Sequence, residues 1–157
     1  MKLTIHRQAP DFAAAEDAVS KVLDALPLGS DARHQVITAM LEAVSNAVRH
    51  GRADDGQGPV LLEAEVAAGR LVLTVVDDGP GFDPLACPDP RTPDRLLLSG
   101  GRGVFLMHQL MDSVDFAFPP AGGTRVTLCK TIPSVHAGGG EPPEGEKPDE
   151  HRDSAER

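Results

Sequence analysis

Cysteine is scarce in this chain, basic side chains are outnumbered, and no long apolar run is present. Cys87 and Cys129 are the only two cysteines, without metal-type spacing, so neither a disulfide framework nor a zinc site is indicated. A reducing cytosol fits that count. No run approaches the roughly 18 apolar residues that span a bilayer, and the start, Met-Lys-Leu-Thr-Ile-His, lacks a signal peptide's apolar stretch, so a soluble cytoplasmic protein is expected, with no membrane partner. With 15 Lys and Arg against 24 Asp and Glu, the formal charge of -9 argues against a direct nucleic-acid surface, which needs clustered cations. A protein or a nucleotide is the better-matched partner.

At 157 residues the chain is long enough for one core. Residues 134–157 carry seven acidic and three basic side chains among glycines and prolines, with almost nothing bulky and apolar. Such a segment cannot offset its ordering entropy, so the folded domain is expected to cover 1–133 and an acidic disordered tail 134–157.

Leu3 and Ile5 suggest a short strand. Phe12, Ala15, Val19, Val22, Leu23 and Leu26 recur at helical spacing after Asp11, a suitable N-cap, and Pro27 closes the run. A second helix is predicted over 32–50 from Val36, Ile37, Met40, Leu41, Val44, Ala47 and Val48, ended by Gly51. Residues 60–66 and 71–77 read as a hairpin turning through Gly69. The segment 83–100, with four prolines, reads as a long loop. A third helix is predicted from Gly103 through Met107 to Met111, then strands at 113–118 and 124–132. The expected fold is α/β in the sense of a two-layer α+β sandwich: a mostly antiparallel sheet covered on one face by three helices.

Glu42, Asn46 and His50 fall within an arc of about 80° on the second helix, a face read as lying opposite the apolar stripe. An Asn oxygen is a hard neutral ligand suited to Mg²⁺, so Asn46 is the metal candidate. Glu42, one turn earlier, can take a proton from a hydroxyl or water attacking a γ-phosphate, which makes it the candidate base. His50 can orient a neighbour or simply close the helix. By itself this spacing is also what any amphipathic helix shows to solvent.

Asp77 ends a predicted strand, where its carboxylate can accept a hydrogen bond from an exocyclic amine such as that of adenine. Gly79 and Gly81 let the backbone lie close to a ligand, although Asp-Gly-Pro-Gly is equally good turn chemistry. Gly100, Gly101 and Gly103 precede the third helix, an arrangement that offers free N–H groups to phosphate, with Arg102 adding charge. Gly122 and Gly123 lead into Thr124, whose hydroxyl can face a nucleotide; Gly-Gly-Thr also serves as a plain hairpin turn.

Taken in order, these elements resemble the Bergerat-fold (GHKL) ATP-binding family over about residues 30–130. Glu42-x-x-x-Asn46-x-x-x-His50-Gly51 matches its N box, Asp77-x-Gly79-x-Gly81 its first glycine box, Gly101-x-Gly103 its second, and Gly123-Thr124 its last. The phrase Gly-Arg-Gly-Val-Phe-Leu-Met, with Val104 where a Leu is usual, most resembles the bacterial anti-sigma-factor serine/threonine kinases. The resemblance implies ATP and Mg²⁺ as cofactors, with Asn46 on the metal, Asp77 on the adenine amine, Gly101, Arg102, Gly103 and Val104 around the phosphates, Thr124 near the base and Glu42 as general base. It implies a sigma factor and a STAS-domain anti-anti-sigma protein as partners, a homodimer, and a lid at 83–100 from which Arg91 or Arg95 can reach the γ-phosphate, although plain loop solvation is the favoured reading of either arginine. Two other readings stay open: an ATP-binding regulatory module without phosphotransfer, and a detached histidine-kinase-type ATPase domain. The second is disfavoured because no long helical hairpin with a phospho-accepting His precedes the motifs.

Overall fold

A computed structural model describes residues 1–6, 10–50, 58–79, 102–120 and 122–134. Its elements are β1 (Lys2–Ile5), α1 (Phe12–Asp24), α2 (Ser30–His50), β2 (Val60–Ala67), β3 (Arg70–Asp77), α3 (Arg102–Leu110), β4 (Ser113–Ala117) and β5 (Thr124–Thr131). The strands form one sheet in the order β1-β2-β3-β5-β4, every neighbouring pair antiparallel. The expected α+β fold is therefore observed, with element ends within two residues of the predicted ones.

Local chemistry sets the helices. The Asp11 carboxylate accepts from the Ala14 N–H at 2.8 Å, capping one of the free donors that open α1. The helix stops at Asp24, two residues before the predicted Leu26, because Leu26 turns its N–H to the Leu23 carbonyl at 3.0 Å and Pro27 follows. Arg33 then fastens the junction to α2: its Nε donates to the Leu28 carbonyl at 3.0 Å and its Nη1 to Asp24 Oδ1 at 2.7 Å.

Strand alternation sorts the sheet into two faces. In register, Leu3, Leu62, Val75, Val126 and Phe116 make one row across all five strands, and Ala64, Leu73, Leu128 and Val114 make the next. These rows join Ala15, Val19 and Leu23 of α1, Val36, Met40 and Val44 of α2 and Met107 of α3 in a single core. Glu63, Thr74, Val76, Arg125 and Thr127, one position out of phase, lie on the other face and are less buried. Full burial of each large aliphatic side chain contributes roughly 1.5–3 kcal/mol, so the core also fixes which residues end each row.

The turn from β2 to β3 consists of Ala68 and Gly69, at φ 49° and 73°. Two consecutive positive φ values match the right-handed twist of a tight hairpin, and Gly69 tolerates its own at no steric cost.

Candidate functional site

Asp77 continues the inward row of Leu71, Leu73 and Val75, and its register partner Thr124 continues that of Val126 and Leu128. Both therefore project from the helix-covered side of the sheet, at the end where the apolar rows run out. The Asp77 Oδ1 accepts the Gly79 N–H at 2.7 Å, and the Gly79 carbonyl accepts the Gly123 N–H at 2.8 Å. Two segments separated by forty-odd residues are thus sewn into one turn.

Gly123 has φ 95°, and a Cβ there would lie 2.2 Å from the Asp77 carbonyl oxygen. Only glycine allows that approach, which holds Asp77 in place. Thr124 is 4% exposed, and its hydroxyl has no hydrogen-bond partner among the described residues. A buried hydroxyl left without a partner costs about 1–3 kcal/mol, so this donor and acceptor beside Asp77 suits a bound polar group.

In the helical layer, α3 packs along α2. Gly103, in the first turn of α3, is so close to α2 that a Cβ on it would meet Glu42 Oε2 at 2.7 Å and the Asn46 amide at 3.1 Å. Glu42 and Asn46 are both half-buried, and neither side chain has a hydrogen-bond or ion-pair partner among the described residues. This corrects the expectation that their face lies opposite the apolar stripe. The buried side of α2 runs through Ala39, Ala43 and Ala47 as well as Val36, Met40 and Val44, whereas Ile37, Leu41 and Val48 are only half-buried. The helix is rotated so that Glu42 and Asn46 border the core, and α3 covers their flank.

His50, the last residue of α2, is exposed, as is Arg102 at the start of α3; Val104 is half-buried. Gly79 is buried in the turn. Gly81, Gly101, Arg91, Arg95, the predicted lid at 83–100 and the predicted tail from 135 onward lie outside the described residues.

The donor set fits a nucleotide with a hard cation. The side-chain amide of Asn46, the Glu42 carboxylate and the first turn of a helix meet at Gly103, and Mg²⁺ characteristically takes few protein ligands and is completed by phosphates and water. The second Asp77 oxygen, free of partners among the described residues, is placed to accept an amine N–H.

Sequence reading missed Lys130. It follows Leu128 in the inward phase of β5, opposite Leu71, and its side chain is 15% exposed. A lysine in an apolar phase was the available signal.

Comparison with known proteins shows the family. The sequence profile described as the histidine kinase-like ATPase domain matches residues 7–130. The chain belongs to that family of Bergerat-fold (GHKL) ATP-binding domains, and within it resembles the anti-sigma factors. The anti-sigma F factor of Clostridium beijerinckii is 28% identical over 132 residues, covering 83% of this chain and 92% of that protein. That of Halalkalibacterium halodurans is 29% identical over 139 residues, covering 84% and 92%. That of Bacillus licheniformis is 31% identical over 105 residues, covering 62% and 68%.

Among solved structures, that of the RsbU and RsbW domains of Rv1364c from Mycobacterium tuberculosis aligns with a TM-score of 0.62 at 20% identity, over 84% of this chain and 32% of that one. This chain thus spans about a third of that protein's resolved length. A histidine kinase domain from Erythrobacter litoralis aligns with a TM-score of 0.54 at 20% identity, over 77% and 59%. At such identities the likeness is one of fold. Among the described residues no helix is long and apolar enough to cross a membrane.

Proposed function

We propose that this chain is a cytoplasmic, Mg-ATP-dependent serine/threonine protein kinase with anti-sigma activity. In this reading it sequesters a sigma factor and transfers the γ-phosphoryl group of ATP to a Ser or Thr of a STAS-domain anti-anti-sigma protein. The observation that carries it is the approach of Gly103 to Glu42 and Asn46, which puts a carboxylate and an amide, neither with a partner among the described residues, at the N-terminus of a helix. The names of the relatives, anti-sigma F factors, support the sigma-factor partner.

Each residue then has a distinct task. Asn46 holds Mg²⁺ through its amide oxygen; the ion supplies charge neutralisation on the phosphates. Asp77 accepts the adenine amine through the oxygen that Gly79 does not use, with Gly79 and Gly81 lying along the purine and the Thr124 hydroxyl beside it. Gly101, Arg102, Gly103 and Val104 present N–H groups and one cation to the phosphates, where the helix dipole favours negative charge. Glu42 accepts the proton of the incoming Ser or Thr hydroxyl as that oxygen bonds to the γ-phosphorus, and ADP leaves. His50 orients a neighbouring side chain or closes the end of α2. The kinase domain comprises 1–133 and works as a homodimer without contacting nucleic acid; 134–157 form the acidic tail.

The test is capture of partners from source lysate on the purified protein in Mg-ATP, with identity and Ser or Thr phosphorylation read by mass spectrometry. A bound sigma factor together with a newly phosphorylated STAS-domain protein is expected. ATP binding with a held partner and no phosphorylation would replace the kinase by a regulatory binding module.

A further inference from the structure

Lys130 stands at the opposite end of β5 from Thr124. Its Nζ donates to Gln35 Oε1 at 2.8 Å and to the Leu110 carbonyl at 2.7 Å, with Asp112 Oδ1 at 3.6 Å. Leu110 is the last residue of α3, and its carbonyl is one of those a helix end leaves without an internal partner. A lysine there also complements the negative end of the helix dipole. Asp112 is held in turn, accepting the Thr131 N–H at 2.7 Å while its own N–H donates to the Cys129 carbonyl at 2.9 Å.

The spacing of these contacts matters. Gln35 precedes Glu42 by seven residues on α2, and Leu110 follows Gly103 by seven on α3, about 10 Å of axis in each case. Along this antiparallel helix pair, Lys130 fastens one end and Gly103 meets Glu42 and Asn46 at the other. A nine-residue helix transmits displacement as a rod, so releasing the Lys130 end lets the Gly103 end slide or tilt.

We propose that Lys130 is a positioning residue for the nucleotide site: by tying the C-terminal end of α3 to α2, it sets how Arg102 and Gly103 sit against Glu42 and Asn46. Its functional consequence rests on the nucleotide reading given above; its geometric consequence does not. Arg33 provides the matched control, because it fastens the α1–α2 junction by the same chemistry and has no hydrogen bond or ion pair to α3 among the described residues.

The experiment compares wild type, K130M, K130R and R33M by amide NMR without nucleotide, following the Asn46 side-chain NH₂ resonance, assigned by its loss in N46D, and then by Mg-ATP titration calorimetry. In K130M the Asn46 resonance moves and the Mg-ATP Kd rises on the order of tenfold, the loss expected of one displaced charge-assisted contact. K130R, which keeps the donors, restores both. R33M lowers Tm but leaves the resonance in place and Kd within about twofold of wild type. Q35M, which removes one bond and leaves Lys130 on Leu110 and Asp112, gives the same changes in smaller degree if K130M does not fold. An unmoved Asn46 resonance and an unchanged Kd in folded K130M or Q35M would overturn the proposal. A wild type that binds no Mg-ATP would sink the nucleotide reading instead, while the Asn46 resonance would still decide the positioning claim.

Discussion

The Cα of Gly103 faces Glu42 so closely that a methyl group there would lie 2.7 Å from the carboxylate Oε2. The opposing atoms are the free ends of the Glu42 and Asn46 side chains, which can swing aside at little cost. Ala is also preferred over Gly in a helix by about 0.5–1 kcal/mol. G103A is therefore expected to keep or slightly raise Tm while weakening Mg-ATP binding about tenfold or more by pushing Glu42 and Asn46 off their positions. Thermal unfolding and calorimetric titration on one preparation check the split; a fall in Tm with unchanged affinity would count against the site.

Gly122 and Gly123 have nearly the same φ, 93° and 95°, yet a Cβ on Gly122 would sit in ordinary contact, 4.0 Å from the Gly79 carbonyl oxygen, whereas one on Gly123 would lie 2.2 Å from the Asp77 carbonyl oxygen. G122A should cost about 1 kcal/mol from φ strain alone, and G123A about 3 kcal/mol or more because Asp77 must move. Urea unfolding measures both, and equal losses would show that the approach to Asp77 carries no energy.

These two glycines mark where sequence reading succeeded and where it stopped. The helices and strands were legible because apolar residues recur at 3.6 and 2 positions, and the four motifs were legible from residue type and order. That Gly123 braces Asp77, or that Gly103 leaves room for Glu42, depends on contacts between distant segments, which no local pattern encodes. The orientation of α2 was misjudged because Ala39 and Ala43 are too weakly hydrophobic to mark a buried flank, and α3, which covers it, lies more than fifty residues later. Lys130 was overlooked because its partners, Gln35 and the Leu110 carbonyl, belong to segments that no local pattern links to β5.

Ala68 holds φ 49° in the two-residue β2–β3 turn. A left-handed conformation strains an L-residue with a Cβ by roughly 1–2 kcal/mol, and Asn relieves part of that through local hydrogen bonding. A68N is expected to raise stability by about 0.5–1 kcal/mol without altering nucleotide affinity. A loss of stability in urea unfolding would contradict the turn geometry.

Hydrogen bonding from Thr131, foremost, and the nearby charge of Lys130 hold the Asp112 carboxyl below the usual carboxylate range. The native state therefore binds fewer protons than the unfolded chain across that window, and stability rises with pH there. The contribution is full above the unfolded value of about 4 and is lost as pH falls through the lower folded one. The Tm difference between wild type and D112N should be constant above about pH 5 and shrink below it. A difference independent of pH would show that the Asp112 charge plays no part.

The most direct test of the central claim follows transfer of labelled γ-phosphate from ATP to the serine of a captured STAS-domain protein, by wild type and E42Q, with Mg-ATP affinity measured on the same samples. Glutamine keeps the shape of the side chain and cannot take the hydroxyl proton. The account predicts that E42Q binds Mg-ATP within about threefold of wild type and transfers phosphate at least about a hundredfold more slowly. Transfer at the wild-type rate by E42Q would contradict it.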